Sequence, residues 1–190
     1  MKPIIKKGDT LVRVMKFLQS LHFGIVITDD DENIDMDKIQ IMEFNIDGLL
    51  LVDFKTFLWG ESIFWIYRYT EEKLLYGNNI IYPPEKIVIR AIKHYLNKDK
   101  FLYTVDKKNC EYFTRKCSLT DKNLWKSKQI QLYSRNKRLA YTKLASMVVI
   151  NIISAIFKSD YNIANDLHIK FCDKYKYDEN EKKLEFIEST

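Results

Sequence analysis

The chain has 190 residues, 46% of them hydrophobic, which suits one well-filled core with an appendage and is short for two ordinary domains. Its formal charge is +5, with 31 basic residues nearly balanced by 26 acidic ones, so an anionic partner is permitted but not required. Three cysteines form neither a paired framework nor a zinc spacing, which excludes a disulfide scaffold. The N-terminus lacks the apolar run of a secretory signal, and we expect a cytoplasmic protein.

Four strands are predicted in the first part of the chain. They are the β-branched and aromatic runs TLVRV, HFGIVIT, KIQIMEF and SIFWIYRYT. An acidic segment, TDDDENIDMDK, separates the second strand from the third and must be a solvated loop, because its like charges repel. A calcium loop would need Gly and Glu where this segment has Ile34 and Gln40, so we interpret it as a hairpin tip.

A helix is predicted over PPEKIVIRAIKHYLN, because proline is tolerated in a first helical turn and the apolar residues recur every four positions. The run FLYTV then predicts a strand and DKK a turn. Asn109 is a suitable N-cap for a further helix that begins at Cys110.

Cys110 is the candidate nucleophile. A thiol in the first turn of a helix lies at the positive end of the macrodipole, beside unpaired N–H groups that stabilise a thiolate. The alternative is a small buried hydrophobic side chain, which is how most free cysteines behave. Cys117 and Cys172 lack the helix-start context, so for both we favour the structural role.

A nucleophilic thiol needs a base, and the chain has three histidines. His94 lies on the predicted helix away from its apolar stripe, which favours a solvated position. His168 lies in the C-terminal part, where nothing nearby suggests chemistry. His22 opens the second predicted strand, and strand ends project side chains onto a common rim. The pattern leaves open whether His22 is a base or a structural histidine.

The C-terminal part contains a basic segment followed by an apolar one. Residues 115–143 hold nine basic side chains against the single acid Asp121, and LASMVVINIISAIF follows at 144–157. Fourteen residues that include Asn151 are too few for a spanning helix, which needs about 20. A core helix, an in-plane membrane segment and a partner-binding helix all fit, and the basic run favours an anionic lipid surface. Nucleic-acid binding is not favoured, since no motif accompanies the charge.

The segment NCEYF, residues 109–113, resembles the Asn-Cys-Glu-His-Phe box of the lecithin:retinol acyltransferase family, which includes the H-rev-type phospholipase-acyltransferases. KKGDTLVRV is similar to that family's opening Pro-Gly-Asp strand, and LHFGIVI is similar to the strand with its catalytic histidine. The resemblance covers about residues 7–117. In place of the family's second histidine this chain has Glu43, and Tyr112 replaces the histidine of the cysteine box.

The resemblance implies an α+β fold, a circularly permuted papain-like domain of the NlpC/P60 superfamily with an antiparallel sheet and a cysteine-bearing helix. It places the catalytic domain at residues 1–120. Residues 121–190 are then a basic and apolar extension, mostly helical. The membrane-contacting stretch that the charge pattern predicts, residues 115–157, begins just before this extension.

The same resemblance implies a thiol-dependent acyltransferase or phospholipase A1/A2 with no cofactor or metal. Cys110 would be the nucleophile, His22 the base and Glu43 the residue that orients it, acting on a phospholipid or another acyl ester. A cysteine peptidase or amidase on the same scaffold is an alternative. A second alternative is a catalytically inactive interaction protein, in which Glu43 is a relic. The sequence does not decide the acyl donor, the acceptor or the oligomeric state.

Overall fold

The structure is a computed structural model that describes residues 5–15, 20–28, 35–97, 102–104, 107–126 and 172–189. Within these ranges a seven-stranded antiparallel sheet forms the centre of an α+β fold. In chain order its strands are β1 (Thr10–Met15), β2 (Ser20–Val26), β3 (Gln40–Asn45), β4 (Gly48–Asp53), β5 (Ile63–Tyr67), β6 (Cys172–Asp178) and β7 (Lys183–Ser189). Their order across the sheet is β4-β3-β2-β1-β5-β6-β7. The α-helices are α1 (Phe54–Leu58), α2 (Thr70–Tyr76), α3 (Pro84–Leu96) and α4 (Cys110–Ser118).

Most of the local predictions are confirmed. The four predicted strands are present as β1, β2, β3 and β5, the predicted long helix is α3, and the cysteine helix is α4. The predicted strand FLYTV is wrong over the described residues 102–104, where Thr104 makes only an isolated bridge to Lys108. Strand β4 was not predicted, although Asp47-Gly48 is a hairpin signal and Gly48 has the positive φ of 109° that such a turn uses.

Helices cover the two faces of the sheet. Because side chains alternate along a strand, neighbouring residues of β2 serve opposite faces. The face under α3 and α4 is built from Ile25, Met42, Phe44, Leu49, Ile87, Ala91, Phe113 and Cys117. The face under α1 is built from residues that include Leu11, Ile41, Phe54, Phe57, Phe64 and Tyr175. The sheet is therefore buried on both sides around β1, β2 and β3.

The end of the chain differs from the mostly helical extension that was predicted. Residues 172–189 form the β6–β7 hairpin, and β6 pairs with β5 in the central sheet. The rings of Tyr175 and Tyr177, two residues apart, pack on Phe64 and Phe54 at centroid distances of 5.6 and 5.3 Å. This period of two is the strand signal that the sequence analysis missed.

Between α4 and the hairpin the structure describes a single turn of 3-10 helix, Lys122–Trp125. The apolar segment 144–157 lies outside the described residues, as does most of the acidic hairpin tip. In the part of the chain that is described, no helix is both long enough and apolar enough to span a membrane.

Gly24 of β2 leaves room for side chains of β3 and α1. A Cβ atom on Gly24 would lie 2.5 Å from Cγ2 of Ile41 and 2.8 Å from Cε2 of Phe57. We expect Gly24→Ala to lower the free energy of unfolding by about 1–3 kcal/mol, because overpacking pushes apart the strand and the helix. Urea unfolding measures the loss. Gln40→Ala, at an exposed position of β3, should change little, and an unchanged midpoint for Gly24→Ala would contradict the close contact.

Candidate active site

The first turn of α4 positions Cys110 against the sheet. Asn109 is the N-cap, as predicted, and its Oδ1 accepts a hydrogen bond of 2.9 Å from the backbone N–H of Tyr112. Phe113, one turn further, is fully buried and holds the helix on the sheet. The Cys110 thiol donates to the backbone carbonyl of Leu21 at 3.8 Å, directly beside His22.

His22 and Glu43 form a buried pair. The Nε2–H of His22 donates to Oε2 of Glu43 at 2.9 Å, and the side chains are almost completely buried. The second carboxylate oxygen of Glu43 accepts a hydrogen bond of 3.1 Å from Nδ2 of Asn45. The carboxylate therefore holds the imidazole in one orientation, which is the geometry expected of the third member of a catalytic triad.

The pair lies where two strands separate. Strand β2 pairs with β3 only from Gly24 to Val26, whereas its pairing with β1 continues back to Ser20. His22 and Glu43 belong by alternation to the α1 face, and Cys110 comes from α4 on the opposite face. The thiol is nevertheless close enough to the imidazole to raise the pKa of His22. Because Nε2 is engaged by Glu43, Nδ1 is the nitrogen left for sulfur.

The charge on His22 follows from these neighbours. Burial lowers the pKa of His22, but the neighbouring Cys110 and the charge and hydrogen bond of Glu43 outweigh burial and raise this pKa to about 9. The imidazole is therefore a cation at neutral pH.

Arg13 is a third polar residue at the site, and the sequence analysis missed it. It lies directly opposite His22 in the β1–β2 register and is 6% exposed. Burial lowers the pKa of Arg13, although Glu43, Cys110 and Glu61 act in the opposite direction. A basic residue in the middle of the otherwise apolar run TLVRVM was the signal that could have found it.

Apolar side chains enclose Cys110. It packs with Val12, Leu21, Phe23 and Trp65, and only 3% of its surface is exposed. Small reagents therefore reach the thiol more easily than large ones. A bulky substrate must displace some of these apolar side chains.

Cys117 and His94 do not join the site. Burial raises the pKa of Cys117 to about 12, which makes it an inert core thiol. His94 is half-buried against the ring of Phe113 rather than solvated, and burial with the nearby Lys116 and Arg90 lowers its pKa to about 4. His168 and the side chain of Cys172 lie outside the described residues.

Searches of protein-family models, of curated proteins and of solved structures each find nothing that matches this chain. Among the residues that the structure describes, no three side chains of the metal-ligating types cluster as a metal site would require. The described site combines a thiol, an imidazole, a carboxylate and a guanidinium.

The imidazole of His22 is expected to titrate with a midpoint near pH 9. NMR of the ring C–H signals measures this, and Glu43→Gln should lower the midpoint because a hydrogen bond and a negative charge are lost. His94, neutral above about pH 4, is the internal control. Because the pKa of His22 is higher in the folded state than its unfolded value near 6.5, protonation of His22 stabilises the fold. This contribution to the free energy of unfolding is complete below pH 6.5 and is lost as pH rises through 9. A His22 midpoint below 7 would contradict the ion pair.

Proposed function

We propose that this chain is a thiol-dependent acyltransferase or phospholipase A1/A2 of the lecithin:retinol acyltransferase type, acting on glycerophospholipids. One observation carries the proposal: the thiol in the first turn of α4 lies against the carbonyl of Leu21, directly beside His22, which is itself bonded to Glu43 at 2.9 Å. Nucleophile, base and orienting group in this succession are the arrangement that thiol catalysis requires.

The topology supports the same class. An antiparallel sheet carries His22 and Glu43, and the helix with Cys110 follows them in the chain and packs against β2 and β3. This order fits a circularly permuted papain-like domain, in which the strands with base and orienting residue precede the cysteine helix. We propose that fold for residues 1–120 together with the α+β architecture described above.

In the proposed reaction the Cys110 thiolate attacks the carbonyl carbon of an ester, and the carbonyl electron pair moves to oxygen. Collapse of this intermediate forms the thioester and expels the alkoxide of the lysolipid, which takes a proton from the imidazolium of His22. Neutral His22 then removes a proton from water or from an acceptor hydroxyl or amine. That group attacks the thioester, the thiolate leaves, and the ion pair is restored.

Glu43 acts through His22 in this scheme. Its carboxylate faces Nε2, so it stabilises the imidazolium and keeps Nδ1 toward sulfur. A carboxylate in place of the family's second histidine is compatible with this role, since only an acceptor for the N–H is required.

Membrane contact through residues 115–157 remains part of the proposal, with one change. Arg115 is 3% exposed, and its Nε donates to the carbonyl of Leu124 at 2.6 Å, so it belongs to the core and not to a lipid-binding surface. The basic residues after Asp121 would supply the charge. Co-sedimentation with phosphatidylserine vesicles at low and high salt tests this part, and salt-insensitive or absent binding would contradict it.

A second candidate is a non-catalytic protein with the same fold. The 3% exposure of Cys110 and its packing among Val12, Leu21, Phe23 and Trp65 favour that alternative. A cysteine peptidase or amidase would use the same Cys110 and His22, and the two enzymatic candidates differ in substrate only.

Mass spectrometry separates these candidates. The protein is incubated with phosphatidylcholine, and the peptide containing Cys110 is examined for an added acyl group, with Cys110→Ser as the control. An acyl adduct supports the acyltransferase. A rapidly alkylated Cys110 without an adduct favours the peptidase, and a Cys110 no more reactive than Cys117 favours the non-catalytic protein.

A further inference from the structure

Arg13 is a buried cation with unused hydrogen-bond donors. Its side chain lies within the sheet core at 6% exposure, and its Nε and Nη1 have no hydrogen-bond partner in the part of the chain that the structure describes. Burying a charged donor without a partner costs free energy, and a bound anion or an ordered water removes that cost. The guanidinium fork is also the side-chain group that best matches a carboxylate or phosphate.

This guanidinium has neighbours at the reactive site and a neighbour at the protein surface. Arg13 lies directly opposite His22 in the β1–β2 register, and His22 is bonded to Glu43. On its other side the guanidinium carbon lies 5.3 Å from the ring centroid of Trp59. Trp59 is 68% exposed, and it ends α1 in the left-handed conformation with φ of 51°. A non-glycine residue in that conformation is often found at functional sites.

We propose that Arg13 is the anion-binding residue of this site and takes a carboxylate or phosphate oxygen of the bound acyl donor. The substrate class that follows is an ester with such an anionic group near its reacting carbonyl. That assignment of substrate rests on the proposed function, whereas anion binding itself requires no turnover and is tested separately.

Two alkylating reagents of nearly equal size test anion binding at Cys110. Iodoacetate carries a carboxylate and iodoacetamide a neutral amide, and both give a product that peptide mass spectrometry assigns to Cys110. We measure the rate of alkylation of Cys110 by iodoacetate divided by the rate with iodoacetamide. In the folded protein this ratio is expected to be about tenfold higher than in the unfolded chain, because a charge-assisted hydrogen bond favours the anionic reagent. A ratio equal to that of the unfolded chain would overturn the proposal.

Variants of Arg13 assign the effect to its side chain. Arg13→Gln should return the ratio to that of the unfolded chain, and Arg13→Lys, which keeps the charge but loses the fork, should fall between. Arg68→Gln removes the same charge from a guanidinium that pairs with Asp9 and Asp173, and should leave the ratio unchanged. An unchanged ratio in Arg13→Gln would overturn the proposal.

A second measurement does not depend on a reactive thiol. The Nε–H signal of Arg13, assigned by its loss in Arg13→Lys, is followed by NMR during addition of butanoate or methyl phosphate. A saturable shift with one anion but not with the other distinguishes a carboxylate from a phosphate ligand. A saturable shift together with an unreactive Cys110 would support the anion site and reject the proposed function. No shift with either anion would overturn the anion site.

Discussion

Cys110→Ala is expected to abolish acyl-ester turnover, with a loss on the order of 10³-fold or more, and to remove the acylated peptide. The thiol is the only group at the described site that can form the thioester, so no neighbouring side chain can replace it. Hydrolysis of a short-chain, water-soluble ester measures the effect without requiring a membrane.

Cys117→Ala is the matched control for this variant. Both cysteines lie on the buried side of α4, and both substitutions remove one sulfur atom from the core. Turnover should persist in Cys117→Ala. This variant should lose only a small part of its free energy of unfolding, because the substitution leaves a cavity. Equal activity in the two variants would remove Cys110 from the chemistry, and equal inactivity would point to unfolding as the cause.

His22→Gln is expected to reduce turnover by about 10²- to 10⁴-fold, because the group that donates and removes protons is lost. Alkylation of Cys110 by iodoacetamide at pH 6–7 should slow by about tenfold or more, since the thiolate loses its cationic partner. Reactivity in the variant should return only at alkaline pH, as for an ordinary thiol. The rate is measured across pH 5 to 10.

His94→Gln serves as the control for the loss of an imidazole. His94 is half-buried on α3, and burial first, then Lys116 and Arg90, hold its pKa near 4, so it contributes no charge at neutral pH. Alkylation of Cys110 should be unaffected by this change. If His22→Gln and His94→Gln slow the reaction equally, His22 has no special role in activating the thiol.

The start of the cysteine helix could be predicted from the sequence because its cause is local. Asn109 accepts a hydrogen bond from an N–H only three residues away, and this contact does not depend on the rest of the fold. Helix α3 could also be predicted from local signals, namely a proline at its start and apolar residues that recur every four positions. Strands β1, β2, β3 and β5 could be predicted in the same way. Each of these signals is contained within about fifteen residues of chain.

The meeting of His22 with Glu43 depends on strand register, which the sequence alone does not define. In the structure Gly24 pairs with Glu43, so the carboxylate lies on the same face as the imidazole. A shift of one residue would have placed Met42 there instead, since successive side chains point to opposite faces.

Only the tertiary structure brought Arg13 into the site and the hairpin 172–189 into the sheet. Arg13 reaches His22 through the β1–β2 pairing, and Tyr175 reaches Phe64 across more than a hundred residues of chain. The sequence by itself indicated strands β1, β2, β3 and β5, helix α3 and the position of the thiol at the start of α4, because backbone hydrogen bonds and side-chain periodicity act over a few residues. It could not determine which side chains share a buried site, because that depends on burial and on pairing between segments that are far apart in the chain.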